Sequence, residues 1–317
     1  MLQEQFLNKM EIISKKLELR RGVIGKFLDL ISQPSKYSSK DLIRKLGLPK
    51  THLYRLIHEF TDILEKDQKY IFAKKNMVNE IRELTNIVNQ SEKNYNLNEI
   101  RRVLKKYQKL RPKPNRDLDQ FNATIETTVK RAIKLLKNGD LKGKKVAFLG
   151  DDDLVSIATA LTCKCNKITV FEIDKRLNEF IAKISKENVL GIEIVEQDLL
   201  QPIDKKFLDE YEVIFTDPPY TVEGVNIFLN QAIRILKKDF LGRIYLCYGN
   251  SDRAREREVE IQKLILSHNL LIKTKLSKFN KYVGAESIGS QSSLYILDWT
   301  PQTKTVNTNL KKVYTNE

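Results

Sequence analysis

Three consecutive carboxylates are the first feature of this sequence that could do chemistry. Asp151, Asp152 and Asp153 follow Gly150 at the end of the apolar run KKVAFLG, and a helix-forming run, LVSIATAL, comes directly after them. Glycine lets the backbone approach a ligand closely, and the start of a helix stabilises an anion by a fraction of a kcal/mol. One aspartate is enough to cap a helix, so a row of three indicates a binding site for cationic groups.

A second polar cluster, Asp217-Pro218-Pro219-Tyr220, follows the apolar run VIFT. Because the φ angle of proline is fixed, the two prolines hold the backbone rigid and turn a carbonyl oxygen into the site. The Asp217 carboxylate can accept a hydrogen bond from an amine, and the Tyr220 ring can pack on a planar or aliphatic group. Such a motif would hold a target nitrogen with its lone pair aimed at a sulfonium donor; the structural alternative is a plain rigid turn.

Carboxylates also end two further apolar runs. Glu172 closes the run KITVFE, and Asp198 follows IEIVEQ. A carboxylate after a second strand can accept hydrogen bonds from two ribose hydroxyls, and by its strand position Glu172 suits this better than Asp174. Asp198 is placed to accept from the amino group of adenine. Together, the four strand ends predict an adenosyl donor site beside an amine site.

The elements that must position these residues begin at about residue 143, where short apolar runs alternate with helical patterns. Five strand–helix units precede two late strands, and the strand segments are KKVAFLG, KITVFEID, IEIVEQD, YEVIFTDPPY, GRIYLCYG, LLIKTKLSKF and SLYILDWT. This alternation predicts a doubly wound, mainly parallel sheet, and the two closing strands match its methyltransferase variant. Ligands bind outside the carboxyl ends of such strands, so the polar strand ends should meet in one cleft.

The first 75 residues predict a small winged-helix-like domain. Helical periodicity covers Arg21–Ser32, a short helix capped by Ser38 or Ser39 ends at Gly47, and a third helix opens at Pro49. The next segment, EKDQKYIFAKK, has the polar tip and apolar end of a wing hairpin. Such domains bind DNA through the third helix, or they serve as dimerisation or docking modules, and both interpretations stay open.

A polar helical connector is predicted over residues 76–115. It ends at RPKPNRD, whose two prolines cannot continue a helix. We therefore place the domain boundary there and predict a Rossmann-type catalytic domain over residues 116–317. The predicted fold class is α/β: a methyltransferase-like Rossmann domain preceded by the winged-helix-like domain.

The positive charge is concentrated near the start of the chain. The formal net charge is +15, and residues 1–115 hold 25 Lys and Arg against 13 Asp and Glu. This basic half could bind nucleic acid or another anion, and it could equally be a solvated helical surface.

The cysteine count and the hydropathy argue against a disulfide-stabilised protein and against a membrane protein. Three cysteines argue against a disulfide framework, and with three histidines in the chain we expect Cys163 and Cys165 to be plain thiols and no metal site. No run approaches the roughly 20 apolar residues of a membrane span, and the first residues lack an apolar signal core. A cytoplasmic location with no membrane contact is expected.

Several segments give the sequence a resemblance to a known family. They are GDDDLVSIA (150–158), FEID (171–174), FTDPPYT (215–221), RPKPNRDLDQFNATIETTVKR (111–131) and KYVGAESIGSQSSLY (281–295). Together they resemble the branched-chain polyamine synthases, also called N4-bis(aminopropyl)spermidine synthases, over about residues 111–298. The resemblance implies aminopropyl transfer from decarboxylated S-adenosylmethionine, a co-substrate and not a prosthetic group, to a linear polyamine such as spermidine. The products would be N4-branched polyamines and methylthioadenosine.

The acidic turn agrees with that chemistry. Decarboxylation leaves the donor with an ammonium-tipped propyl arm, which three aspartates attract, whereas they repel the carboxylate of intact S-adenosylmethionine. The attacking amine must be neutral, and deprotonating an amine of pKa about 10.4 costs about 4–5 kcal/mol at pH 7. A carboxylate in contact can take that proton as attack begins. We predict that Asp153, the last of the three, is this base, and that Asp151 and Asp152 anchor ammonium groups.

Each candidate residue thus has a predicted role. The predicted catalytic residues are Asp153 and Asp217, the donor site is Gly150, Asp151, Glu172 and Asp198, and the acceptor site is Asp152, Asp217, Pro218 and Tyr220. The predicted partner is a polyamine substrate, a homodimer is expected, and nucleic-acid binding is allowed but not required.

Two other functions compete with this prediction. An amino-methyltransferase acting on nucleic acid would use the same Asp217 motif and would explain the basic half. Against it, an ordinary methyltransferase has a glycine-rich turn at the place where this chain has Gly150 and three aspartates. A transcriptional regulator with a ligand-sensing Rossmann domain would not need the intact run from Asp217 to Tyr220. The choice of donor discriminates between an aminopropyltransferase and a methyltransferase.

Overall fold

The computed structural model describes residues 3–91, 95–249, 255–284, 290–307 and 313–315. It divides into two compact units, Met1–Asn94 and Tyr95–Glu317. Each unit has its own hydrophobic core. No helix within the described residues is both long enough and apolar enough to cross a membrane.

Five helices and a three-stranded antiparallel sheet build the first unit. The helices are α1 (Gln3–Leu17), α2 (Arg21–Ser32), α3 (Ser39–Leu46), α4 (Lys50–Glu59) and α5 (Val78–Ser91), and the strands are β1 (Tyr37–Ser38), β2 (Leu64–Lys66) and β3 (Tyr70–Ala73). The strand order is β1-β3-β2. The winged-helix interpretation of this unit stays a prediction.

Local sequence signals set the helix ends of this unit. Ser38 and Asp41 form a capping box at the start of α3, with the Asp41 N–H 3.2 Å from the Ser38 hydroxyl oxygen, and Gly47 ends the helix at a φ of 66°. Such left-handed backbone favours glycine. The predicted bounds of α2 are confirmed. The third helix is predicted from Pro49 to Leu64, whereas α4 ends at Glu59, because Leu64 already belongs to β2.

The predicted connector is divided between the two units. Helix α5 packs on α2, whereas α6 (Leu97–Gln108) packs on α7 (Ile125–Lys137) and α8 (Val155–Thr162) of the second unit. The contacts therefore place the boundary between Asn94 and Tyr95, and not at residues 111–117. The prolines there end a helical segment without ending a domain, because the apolar face of α6 is buried in the second core.

A seven-stranded sheet forms the centre of the second unit. Its strands are β4 (Lys145–Leu149), β5 (Lys167–Glu172), β6 (Ile192–Glu196), β7 (Val213–Thr216), β8 (Arg243–Gly249), β9 (Leu271–Lys281) and β10 (Gln291–Asp298). The order is β6-β5-β4-β7-β8-β10-β9, and the first five strands are parallel while β10 is antiparallel to both of its neighbours. The predicted methyltransferase-like Rossmann fold is confirmed.

Helices cover both faces of this sheet. Besides α6, α7 and α8, they are α9 (Lys175–Glu187), α10 (Val222–Ile235) and α11 (Arg255–Ser267). Strand β4 contributes side chains to the hydrophobic cores on both faces of the sheet. Val146 and Phe148 pack in the core with residues of α6 to α9, whereas Ala147 and Leu149 pack in the core with residues of α10 and α11. Side chains alternate across a strand, and a strand that is apolar on both faces is typical of a covered parallel sheet.

The two neighbouring cysteines lie just after helix α8. The helix ends at Thr162, and Cys163 and Cys165 follow it, half-buried and not joined in a disulfide. Burial raises the pKa of Cys165 to about 12, so its thiol is inert at neutral pH.

Candidate functional site

The turn after β4 starts with a glycine in left-handed backbone. Gly150 has a φ of 69°, and its N–H donates to the carbonyl oxygen of Phe171 at 2.9 Å. This conformation strains any residue with a Cβ. The turn therefore holds the aspartates that follow at the carboxyl edge of the sheet, beside the end of β5.

Asp151 is occupied with the start of helix α8. Its carboxylate accepts the N–H of Val155 at 2.7 Å, the N–H of Ser156 at 3.2 Å and the Ser156 hydroxyl. Burial raises the pKa of Asp151 to about 7. The predicted role of this side chain in donor binding is not favoured by the geometry, because its oxygens already bond the helix; its N–H donates to Glu172 at 3.1 Å.

Asp153 is held by two arginines. Its Oδ2 accepts from Nη1 of Arg131 at 2.5 Å, and its Oδ1 accepts from the N–H of Ala123 at 2.5 Å and from Nη2 of Arg111 at 3.4 Å. The side chains of Asp153 and Arg131 are almost completely buried. Both oxygens of this carboxylate already accept hydrogen bonds from protein donors, so the geometry does not favour Asp153 as the base.

The surroundings of Asp152 differ from those of Asp153. Its side chain is half-buried, and no group in the described part of the chain bonds its carboxylate. Its pKa is raised well above the ordinary value, because burial and the charges of Asp153, Asp217 and Glu172 disfavour ionisation, while Arg111 acts in the opposite direction. The structure thus brings Asp152 within electrostatic reach of the carboxylates after β4, β5 and β7.

Glu172 ends β5 at the same edge. It is 5 % exposed, and its two oxygens accept the N–H groups of Asp151 at 3.1 Å and Asp174 at 2.8 Å. Burial raises its pKa. Asp174 instead caps α9 and pairs with Arg176 at 2.6 Å. Each Glu172 oxygen accepts one N–H and can accept a second hydrogen bond, so Glu172 is the carboxylate left for a ligand here.

Asp198 lies beyond the end of β6, the neighbouring edge strand. Its side chain is half-buried, and Oδ1 accepts the N–H of Leu200 at 2.9 Å. Because β6 follows β5 in the sheet, Asp198 and Glu172 end adjacent strands. This is the placement expected for contacts to the base and the sugar of one nucleoside.

Asp217 follows β7 and uses one carboxylate oxygen for protein contacts. Its Oδ2 accepts from Nη2 of Arg131 at 2.7 Å and from the Tyr282 hydroxyl at 2.6 Å. Its Oδ1 is buried and has no partner in the described residues. Burial raises the pKa of Asp217, and Arg131 opposes this effect. A buried acceptor without a donor is costly, so Oδ1 suits a ligand N–H.

The other residues of the motif, Pro218, Pro219 and Tyr220, are held in place by burial and by hydrogen bonds to the Tyr220 backbone. Pro218 and Pro219 are buried. The N–H of Tyr220 donates to Asp119 at 3.2 Å, and its carbonyl oxygen accepts from the Tyr248 hydroxyl at 3.0 Å. The Tyr220 hydroxyl is buried without a hydrogen-bond partner among the described residues, which leaves a second polar atom of the motif for a ligand.

Arg131 is the functional-site residue that the sequence analysis missed. Its side chain is 0 % exposed and donates to Asp153 and Asp217, to the Tyr282 hydroxyl at 2.9 Å and to Oδ1 of Asn280 at 2.9 Å. A signal for it exists in the sequence: Arg131 stands on the face of α7 that is otherwise buried. Residues 285–289, part of the segment KYVGAESIGSQSSLY (281–295), lie outside the described residues.

The sheet order and the polar residues at its carboxyl edge define the class of the second unit, a methyltransferase-type Rossmann domain. Residues 99–316 match the family described as "Branched-chain polyamine synthase A C-terminal domain". This match covers more than half of the chain. The chain belongs to the branched-chain polyamine synthase family.

Individual relatives agree with this assignment. The chain is 38 % identical over 182 residues to an uncharacterized protein of Methanocaldococcus jannaschii, covering 57 % of this chain and 46 % of that protein. It is 34 % identical over 268 residues to the N(4)-bis(aminopropyl)spermidine synthase of the same organism, covering 81 % of this chain and 73 % of the relative. The alignment thus spans less than half of the first relative and about three quarters of the second.

A solved structure shares the fold. The C9 mutein of the branched-chain polyamine synthase from Thermus thermophilus, in complex with N4-aminopropylspermidine and 5'-methylthioadenosine, superposes with a TM-score of 0.60 at 18 % identity. The superposition covers 98 % of this chain and 96 % of that one.

Proposed function

We propose that this chain is an aminopropyltransferase that moves the aminopropyl group of decarboxylated S-adenosylmethionine to the secondary amine of a linear polyamine. One observation carries the proposal: the acidic turn after β4 is bonded to Glu172 after β5 and shares Arg131 with Asp217 after β7, at the edge of the sheet where a nucleoside donor binds in this fold. The family match supports it, and so do the names of the relatives.

The donor preference follows from charge. Glu172 and Asp198 would hold the nucleoside, with Gly150 allowing close approach of the backbone. The acidic residues of the cleft together would attract the ammonium at the end of the donor's propyl arm. A donor that still carries a carboxylate would place an anion among these acids, which is unfavourable at short range.

The reaction on the acceptor side needs one group to hold the amine and one to take its proton. We assign the first role to Asp217 through its free Oδ1, with Pro218 and Tyr220 forming the wall of the acceptor site. We assign the second role to Asp152 instead of Asp153, because no described residue bonds the Asp152 carboxylate and its pKa is raised, which suits a base.

The step itself balances without a further reactant. The neutral secondary amine attacks the propyl carbon bound to sulfur, the new C–N bond forms and the C–S bond breaks. Both electrons of the C–S bond leave with methylthioadenosine, which is neutral. The Asp152 carboxylate takes the proton that the acceptor amine carries at pH 7 as attack begins, and the product leaves as a tertiary ammonium.

Donor choice tests this proposal. We expect isothermal titration calorimetry to show tight binding of methylthioadenosine and decarboxylated S-adenosylmethionine, with at least about tenfold weaker binding of S-adenosylmethionine, a difference of about 1.4 kcal/mol. Equal or tighter binding of the intact donor would contradict the aminopropyltransferase and favour the nucleic-acid amino-methyltransferase.

We further propose that the first unit contacts nucleic acid through α4. Lys50 and Arg55 line one groove with the exposed Tyr54, which gives positive charge beside an aromatic ring. Lys16 lines the same groove and is paired there with Glu59 at 2.7 Å. Fluorescence anisotropy with labelled single-stranded RNA should show binding that weakens as salt rises. Binding unchanged in Lys50→Glu/Arg55→Glu would argue against this surface.

The expected homodimer stays a prediction. Multi-angle light scattering of the purified chain at micromolar concentration decides between one copy and two. A monomer at all concentrations would rule the homodimer out.

A further inference from the structure

Arg131 is the buried cation at the centre of the acceptor site. It extends from α7 and joins the turn after β4, the motif after β7 and the end of β9 through Asp153, Asp217 and Asn280. No described side chain is more completely enclosed, since its exposure is 0 %. A fixed positive charge beside a site for a polycation weakens binding of the ligand, so the position of Arg131 needs another reason.

The hydrogen bonds of Asp217 supply that reason. Arg131 and Tyr282 both bond Oδ2, at 2.7 and 2.6 Å, and Oδ1 keeps no partner in the described chain. The two donors therefore fix the carboxylate plane and leave one oxygen for the ligand. The ionisable groups around Asp217 are Arg131, Tyr282, Asp152, Asp153, Tyr220 and Cys247.

Arg131 is the cation among these groups, and the remaining ones are neutral or acidic. Burial and the nearby charge of Asp153 raise the pKa of Asp217, and without the opposing charge of Arg131 they would raise it further. A protonated Asp217 would carry a hydroxyl and no negative charge. It could then no longer accept a charge-assisted hydrogen bond from the ammonium or amine of the acceptor.

We infer that Arg131 is a positioning residue that keeps Asp217 ionised and presents its Oδ1 to the acceptor amine. This inference rests on the proposed function in naming the ligand as a polyamine. It adds a specific dependence on pH that a merely structural arginine would not produce.

Arg131→Met tests the inference, and Arg243→Met is a matched control. Arg243 is also buried and also bonds two aspartates, Asp140 at 2.9 Å and Asp298 at 2.7 Å, but it opens β8 at the opposite edge of the sheet. Both substitutions remove a buried double ion pair, so both should lower the melting temperature. Only Arg131→Met should alter the acceptor site.

The expected results concern acceptor and donor separately. In Arg131→Met the acidic limb of the pH profile of kcat/KM for spermidine moves up by about 1–3 pH units, the range by which a contacting cation lowers a carboxyl pKa. Spermidine binding, followed by calorimetry, is lost at pH 7 and returns towards pH 9. Methylthioadenosine affinity stays within about threefold of wild type, because its site is separate.

A milder variant covers the case in which Arg131→Met does not fold. Tyr282→Phe removes one of the two donors to Asp217 Oδ2 and should move the acidic limb in the same direction by less. An unmoved limb in Tyr282→Phe, or equal pH profiles for Arg131→Met and Arg243→Met, would overturn the inference. A wild type that binds spermidine but fails to transfer an aminopropyl group would contradict only the proposed function.

Discussion

At the scale of single residues, Asp152 and Asp153 are adjacent in the chain and differ in their partners. Asp153 is bonded by Arg131 and Arg111, whereas Asp152 is unbonded among the described residues. Position in the sequence favoured Asp153 as the base because it lies nearest the helix. The partner Arg131 stands 22 residues earlier, on the buried face of α7, and this local pattern marks Arg131 as buried without showing that it pairs with Asp153.

Substitution of Asp152 should therefore remove catalysis without removing stability. In Asp152→Asn we expect kcat at pH 7 to fall by about 10²- to 10⁴-fold, as for the loss of a general base. Partial recovery should follow as pH rises and more acceptor is neutral in solution. Steady-state kinetics from pH 6 to 10 measures this; an unchanged kcat would remove Asp152 from the mechanism.

Asp153→Asn provides the contrast. It breaks a buried ion pair, which should lower the free energy of unfolding by about 3 kcal/mol. Asp152→Asn, which relieves repulsion among carboxylates, should unfold at or above the wild-type denaturant concentration. Urea titrations of the two variants distinguish the roles, and equal destabilisation would contradict them.

The buried carboxyl of Asp151 makes the stability of the fold depend on pH. Its pKa is raised to about 7 in the folded chain, above the unfolded value of about 3.9. The folded state thus binds the proton more tightly, so this group's contribution is complete below pH 4 and is lost as pH rises through 7. In Asp151→Asn that loss, at most about 4 kcal/mol, should vanish. Unfolding free energies of both proteins at pH 5 and 8 check the sign.

At the scale of elements, strands and short helices were predictable because their signals are local. The capping box at Ser38 and the left-handed Gly47 gave the ends of α3. Alternating apolar runs gave the sheet. The domain boundary was not predictable in this way, since a proline pair marks the end of a helix but does not show which core the helix joins. Arg131 escaped prediction because its partners lie up to 151 residues away.

Helix α6 should be indispensable to the second unit. It buries Ile100, Val103, Leu104 and Tyr107, and burial of each such side chain contributes about 1.5–3 kcal/mol. Their sum is comparable with the about 5–15 kcal/mol that stabilise a whole domain. A fragment that begins at Tyr95 should unfold cooperatively on heating, whereas one that begins at Arg116 should not. Cooperative unfolding of both would place the boundary at the prolines.

At the scale of the whole molecule, the basic charge is shared between the two units. Residues 1–94 hold 18 Lys and Arg against 12 Asp and Glu, and residues 95–115 hold 7 against 1. Half of the excess positive charge of residues 1–115 therefore lies in residues 95–115, which belong to the second unit, the one with the acidic site. A basic exterior and acidic cleft in one unit would guide a polycation towards the cleft, because like charges repel it elsewhere.

The most direct test of the account is the structure of the product formed from spermidine when both donors are supplied together. Tandem mass spectrometry locates the added group on the carbon chain, and chromatography identifies the spent nucleoside. The account predicts an aminopropyl group on the secondary nitrogen of spermidine and an equal amount of methylthioadenosine. A methylated product with S-adenosylhomocysteine, or an aminopropyl group on a terminal nitrogen, would contradict it.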